Sequence, residues 1–424
     1  MYKVTSKRLG DSYFWKVIKG VRVYVYPVFG RFSTSIRLSV NIGSSVLDFK
    51  LNDNRISIRP GTAHFLEHIM FEDGKGGNTD DKFISIGSSS NAFTSDDKTV
   101  YTASATEDVI GTIELLIELV LNPCFSEDRV EKEKNIIIEE IKMYLDDVEW
   151  TLISSSLSQM YFNHPIKFDI IGSIDSVRKL EVKDLKRLYD AFYRPENISI
   201  TVAGDVNPAE VFEACENKLN FENLSGSVCE TISVFEPDTV KLPYSIGNMS
   251  VSNPYFCLGF KEVPIENDPK IKLRRLISNS LLMETIAGET SELNMRLYDS
   301  GIIDSELGRY SINGNGYFCN FLLAGSNDCE TAISEIACEI EALRKNGICK
   351  MRFEENKRSL LGSGLSSFDS MSSISSGLAE SCFEGHTFFD PMDQIEEIDI
   401  DEVSMELCKT LRNNKRAITI INPH

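Results

Sequence analysis

A chain of 424 residues, 42% hydrophobic and 25% charged, reads as a globular protein with an ample core and more than one domain, at roughly 100 to 200 residues each. Its 44 basic against 64 acidic residues give a formal charge of −20, which argues against nucleic acid or an anionic membrane as partner and leaves a cationic peptide compatible. The ten cysteines form no CxxC, no run of about 18 uncharged apolar residues occurs, and MYKVTSKRLGDSYFW lacks a signal-peptide pattern, so free thiols and a cytoplasmic location are expected.

The chain opens with a hairpin signal: Phe14 to Ile18, a Lys19-Gly20 turn, then Val21, Val23 and Val25 alternating with Arg22, Tyr24 and Tyr26. A strand at about Ser33 to Ile42 follows. Residues 44 to 60 are polar and read as irregular, ending in Arg59-Pro60-Gly61, after which Thr62 is the expected cap of a helix carrying His64-Phe65-Leu66-Glu67-His68. Two imidazoles four positions apart on a helix point the same way, so both can reach one ion. His-x-x-Glu-His is the inverted zinc-peptidase motif, in which the histidines hold Zn²⁺ and the carboxylate takes a proton from water. A hydrolytic zinc needs a third protein ligand and an open fourth position.

Gly74 to Asp80 reads as a loop, and Asn91-Ala92-Phe93-Thr94 and Thr99 to Ala103 as strands beside the metal helix, with Asn91, Ala92 and Phe93 as candidate substrate-binding residues on an edge to which a peptide adds as a further strand. Helical periodicity returns over Val109 to Leu121, closed by Pro123, and again over Glu127 to Leu145. The second helix holds the candidate third ligand. Glu133 and Glu140 stand two turns apart on one face, but spacing alone leaves Glu139 and Glu140 both open.

HFLEH, followed by NAFTSDDKTVY, NPCFSEDRVEKEKNIIIEEI and YRPENISITVAGDVNP, resembles the pitrilysin family, which includes insulin-degrading enzyme and mitochondrial processing peptidase; the similarity covers residues 15 to 210 and is fainter over 250 to 424. The resemblance implies that the third zinc ligand is the second Glu of a Glu-x6-Glu pair, here Glu140, with Glu133 hydrogen-bonding a ligand histidine. It implies one Zn²⁺ per chain held by His64, His68 and Glu140, with Glu67 as the base. The implied fold is α+β: two related domains, each a mainly antiparallel sheet packed with helices, forming half of a clamshell. The expected division is a zinc-binding domain at 1–221, a linker at 222–245 and a related domain at 246–424.

In the second half, strands are expected near Phe256 to Phe260 and Cys319 to Ala324, and helices at Lys270 to Ile286, Thr290 to Ser300 and Glu330 to Lys345. Ala417 to Pro423 echoes Ile198 to Val202, a weak internal repeat. The Ser-rich run from Ser359 to Ser381 reads as one helix without chemistry. His164 reads as a turn residue, and His386 and His424 carry no ligand role.

Where the family places an Arg and a Tyr that hold the substrate carbonyl, this chain has Tyr298 and Asp304. The expected partner is therefore a half-length homologous subunit that lacks the zinc motif and supplies that pair. The expected function is a zinc-dependent endopeptidase subunit, the catalytic half of a heterodimer acting on peptides inside a closed chamber, with leader-peptide removal or peptide maturation as one role. The rival function is a non-catalytic assembly or peptide-binding subunit of a larger complex.

Overall fold

Alternation of valines with polar residues builds the first sheet. In the computed structural model, which describes residues 1–71, 79–221, 229–266 and 268–424, Val21, Val23 and Val25 are fully buried along one face of a strand. Burying each is worth roughly 1.5–3 kcal/mol, enough to fix the register, since a slip of one residue would put all three into water.

The strands are β1 (Tyr2–Thr5), β2 (Ser12–Ile18), β3 (Val21–Pro27), β4 (Thr34–Val40), β5 (Ser88–Thr94), β6 (Thr99–Ala105) and β7 (Ile198–Gly204), in the order β1-β2-β3-β7-β4-β6-β5. Only β3 with β7 is parallel. Ile36, Leu38, Tyr101, Ile200 and Val202 continue the apolar face, against which the helices Thr62–Met70 and Val109–Leu121 pack. The opposite face carries Arg22, Ser35, Arg37 and Thr201. The helix Met371–Glu384 lies on it, held by Arg22 Nη1 to the Cys382 carbonyl (2.8 Å), Ser35 Oγ with Ser375 Oγ (2.8 Å) and Thr201 Oγ1 to the Ser375 carbonyl (2.9 Å).

A second sheet comprises β8 (Tyr244–Met249), β9 (Tyr255–Lys261), β10 (Gly308–Gly314), β11 (Tyr317–Gly325) and β12 (Arg416–Pro423), in the order β8-β12-β9-β11-β10. Its outer pair β8 and β12 is parallel and the other pairs are antiparallel. Strand for strand this repeats β3-β7-β4-β6-β5, which makes the Ile198 and Ala417 segments topological equivalents. The fold is an α+β arrangement of two related sheet-and-helix assemblies.

The chain forms two compact units, one of Met1–Glu139, Asp169–Ile232 and Leu365–Phe389, the other of Glu140–Phe168, Ser233–Gly364 and Asp390–His424. Residues 140–168 and 365–389 thus associate differently from a linear division at 222–245.

Three local expectations change. Residues 44–60 are not irregular throughout: Asp48–Leu51 and Asn54–Ser57 form a hairpin to which Cys229–Thr231 adds a strand, anchored by fully buried Phe49 against Phe192. The Ser-rich run is two helices, Lys350–Ser366 and Met371–Glu384, separated at Ser367–Asp369, where Ser370 turns extended and caps the second by accepting from the Ser373 N–H. Thr62 is the first helical residue rather than the cap. Gly61 takes the N-cap position at φ 88°, and a Cβ there would meet the Ile171 carbonyl oxygen at 2.6 Å, so only glycine fits this close turn. The expected Gly74 to Asp80 loop lies outside the described residues up to 78, as does the linker from 222 to 228.

His164 occupies a turn, its Nδ1 accepting from the Ile166 N–H (3.1 Å) while Nε2 meets the Asn315 carbonyl at 3.0 Å. No described helix is long and apolar enough to cross a membrane, and no disulfide joins the ten cysteines.

Candidate metal centre

The helix Thr62–Met70 is only nine residues long, and eight of them are buried, so tertiary packing rather than propensity holds it. It is fixed at its start. Thr62 Oγ1 donates to the Arg59 carbonyl (2.6 Å), and the Arg59 guanidinium pairs with the buried Asp184 carboxylate. Phe65, Leu66 and Ile69 enter the core, which turns His64, Glu67 and His68 to a common side beside β5.

His64 and His68 have ring centroids 4.6 Å apart. One ligand atom from each of His64, His68 and Glu140 lies within 4.8 Å of the others. Glu140 comes from the unbroken helix Glu127–Leu145, and Glu139 on the same helix is exposed, so of the two neighbouring carboxylates the fold brings Glu140 to the imidazoles. Two turns earlier on that helix, Glu133 Oε1 lies 2.8 Å from His68 Nδ1, with the Glu133 side chain 7% exposed. An Nδ1–H given to Glu133 sets the tautomer of His68 and leaves the ring's lone pair on Nε2. Burial, reinforced by neighbouring His68, holds His64 neutral by lowering its pKa to about 3. Two imidazoles and a carboxylate, one imidazole oriented by a second carboxylate, are a donor set that suits zinc.

Glu67 is 7% exposed and accepts a hydrogen bond from Thr94 Oγ1 at Oε2 (2.6 Å). Behind it, the fully buried Tyr101 and Tyr193 share a hydroxyl–hydroxyl bond of 2.8 Å, and burial together with this contact drives the Tyr101 phenol well above its usual range, Glu67 adding to the effect. Thr94, Tyr101 and Tyr193 were not singled out from the sequence as site residues. For Thr94 the signal existed: strand period two puts it on the same side as Ala92, toward the helix.

Asn91, Ala92 and Phe93 lie on β5, an edge strand. Ala92 faces the metal helix side, while Asn91 and Phe93 are exposed on the other. Tyr298 is exposed on the helix Glu292–Asp299, and Asp304 accepts from Asn253 Nδ2 at 3.2 Å.

Comparison with known proteins identifies the family. Residues 32–173 match the insulinase (peptidase family M16) domain and residues 179–360 the peptidase M16 inactive domain. The uncharacterized zinc protease YmfH of Bacillus subtilis is 29% identical over 417 residues, covering 97% of this chain and 96% of that protein; the zinc protease PqqE of Helicobacter pylori is 26% identical over 341 residues, covering 76% and 74%. Among solved structures, an M16-like peptidase from Alicyclobacillus acidocaldarius superposes with a TM-score of 0.94 at 24% identity over 99% of this chain and 100% of its own, and a Helicobacter pylori protease with 0.86 at 21% over 97% and 100%. The chain belongs to the pitrilysin-like peptidase family M16. Its relatives are named as zinc proteases, which supports a metallopeptidase.

Proposed function

We propose that this chain is a zinc-dependent endopeptidase subunit, with His64, His68 and Glu140 as ligands, Glu67 as general base and then acid, and the β5 edge at Asn91 to Phe93 as the place where a peptide adds as a strand. The observation that carries the reading is the approach of three donor atoms to within 4.8 Å beside a buried carboxylate held by Thr94. Zinc bound there supplies a Lewis acid that polarises the scissile carbonyl and lowers the pKa of water toward about 7. Glu67 accepts the proton of the attacking water and returns it to the leaving amine. The Thr94 hydroxyl donates to one oxygen of that carboxylate and fixes its orientation. Glu133 keeps His68 in one tautomer. Backbone hydrogen bonds along the edge of β5 hold the peptide with little demand on its sequence.

The same reading takes the chain as the catalytic half of a heterodimer in a cytoplasmic setting, with leader-peptide removal as one role. Tyr298 and Asp304, in place of the Arg and Tyr the resemblance implies, motivate the partner.

The test is metal content and peptide cleavage by the wild type and Glu67→Gln, each with and without a half-length homologue encoded alongside. About one zinc per chain in both, with cleavage only by the wild type plus partner, supports the whole reading. Full cleavage by this chain alone removes the partner requirement. Absence of zinc overturns the proposal and favours a non-catalytic assembly subunit.

A further inference from the structure

On the side of the first sheet facing away from the helix Thr62–Met70, a cavity of about 530 Å³ opens over β4, β6 and β5, closed on one flank by residues 369–372. Cross-strand register lays two polar rows along its floor: Ser35, Ser104 and Ser89 in one, Arg37, Thr102 and Asn91 in the next. Such rows need an explanation in a sheet whose other face is apolar.

A purely structural role accounts for part of Arg37. Its Nε donates to Ser375 Oγ (3.0 Å) and its Nη2 to Ser372 Oγ (2.9 Å) and the Ser372 carbonyl (3.2 Å), which ties down the helix above. Those partners are all neutral, and among the described residues Nη1 makes no hydrogen bond, so a positive charge is held rigidly at the cavity with a donor to spare. Arg31 adds a second guanidinium at the rim, its nearest carboxylate being Asp369 at 3.6 Å, itself 87% exposed and thus a weak competitor. The hydroxyls of Ser89 and Ser104 and Nδ2 of Asn91 also have no hydrogen-bond partner among the described residues. Two guanidiniums, two hydroxyls and an amide therefore line one space; the carboxylates that act on the guanidiniums are the exposed Asp369 beside Arg31 and Glu380, which attracts Arg37 without hydrogen-bonding it and pairs with Lys98 at 3.4 Å, in a chain whose overall charge is −20.

We propose that this cavity binds a phosphate group, either free or as the monoester of a small metabolite. A dianion with three acceptor oxygens matches the donor set better than a carboxylate does, because it carries more charge and offers an oxygen to each of several separate donors. The volume is that of a small-molecule site and exceeds what phosphate alone fills. The site is separate from the candidate metal centre and does not depend on peptidase activity.

The test is calorimetric titration of the full chain with inorganic phosphate and with glycerol phosphate, at matched ionic strength set with sodium chloride. Saturable binding is expected, weakened about tenfold or more by Arg31→Glu and by Ser104→Asp, both at exposed positions that leave the Arg37 contacts to the helix intact. Tighter binding of the ester assigns the site to a phosphorylated metabolite, and equal binding assigns it to free phosphate. No saturable binding of either probe up to about 10 mM, or wild-type affinity in both folded variants, overturns the proposal.

Discussion

Replacing Glu133 by Gln isolates the charge behind a proposed zinc ligand. Glu133 Oε1 lies 2.8 Å from His68 Nδ1, and its side chain is only 7% exposed, so the contact is a charge-assisted hydrogen bond in a nearly dry place. A hydrogen bond to a charged group is worth about 1.5–3 kcal/mol net and a neutral one about 0.5–1.5. Glu133→Gln keeps an acceptor of the same shape and gives up roughly 1–1.5 kcal/mol, or about tenfold in zinc affinity, because the imidazole becomes a weaker base and its tautomer is less firmly held. Glu133→Ala removes the acceptor as well, and the expected loss is about 10–100-fold. Glu140→Ala removes a proposed ligand itself and is expected to lower affinity further still. The assay is competition for zinc with a chromophoric chelator, alongside the unfolding transition of each metal-free variant to show that the fold persists. A folded Glu133→Gln that binds zinc within about twofold of the wild type refutes the reasoning.

Thr94→Val removes the 2.6 Å hydrogen bond to Glu67 and is expected to lower kcat by about fivefold with KM little changed, since about 1 kcal/mol of positioning is lost; a change confined to KM contradicts it. Lys261→Met strips the cation from a cluster in which Lys261, 5% exposed, meets Glu236 at 2.7 Å and the carbonyls of Met160, Pro237 and Thr239. The Glu236 carboxylate then lacks its counter-charge but keeps the N–H donors of Phe162, Asn163 and His164, so the expected destabilisation is about 2–3 kcal/mol by chemical denaturation, with a loss under about 1 kcal/mol counting against the account. Burial holds the Glu262 carboxyl up at about 7 against its ordinary 4.5. The folded state keeps that proton where the unfolded chain has lost it, so this contribution to stability is whole below about 4.5 and is lost as pH rises through about 7. Glu262→Gln is therefore expected to gain on the wild type by up to about 3 kcal/mol between pH 4.5 and 8, and parallel pH profiles of unfolding refute this.

Elements whose cause is local were legible in the sequence. The helix Val109–Leu121 has its ends where Asp108, accepting from the Gly111 N–H, and Pro123 put them, and β3 follows from its valines. That Glu133 bonds a ligand histidine was legible from its place two turns before Glu140; that the histidine is His68 is seen only in the structure. What escaped has distant causes. The strand Asp48–Leu51 depends on Cys229–Thr231 far along the chain, and nothing in the Ser-rich run announces that Ser372 and Ser375 hold Arg37 on β4. Thr62 failed as a cap because the chain passes so close to Ile171 that Gly61 must make the turn.

The topological repeat sharpens why the proposed chemistry belongs to one sheet. The helix Pro269–Ala287 follows β9 as Thr62–Met70 follows β4, and it packs on the edge strand β10 as the metal helix packs on β5. At that place it presents Asn279, whose Nδ2 donates to Ser311 Oγ (3.0 Å) and Asn320 Oδ1 (2.9 Å). Asn320 Nδ2 donates back to Asn279 Oδ1 (3.0 Å) and to Glu262 Oε1 (3.3 Å), which also accepts from the Leu411 N–H (2.8 Å). Both amide oxygens are thus already accepting, and an amide oxygen is a weak zinc ligand in any case. The two helices share a frame but differ in what they carry: His64 and His68, each with a ring nitrogen within 4.8 Å of a Glu140 oxygen, on the first, and a closed ring of amide hydrogen bonds at the second. Burial inside this ring is what raises the Glu262 carboxyl, helped by nearby Glu406; the Leu411 N–H, the Asn320 amide and Arg275 all favour the ionised form and are outweighed by desolvation.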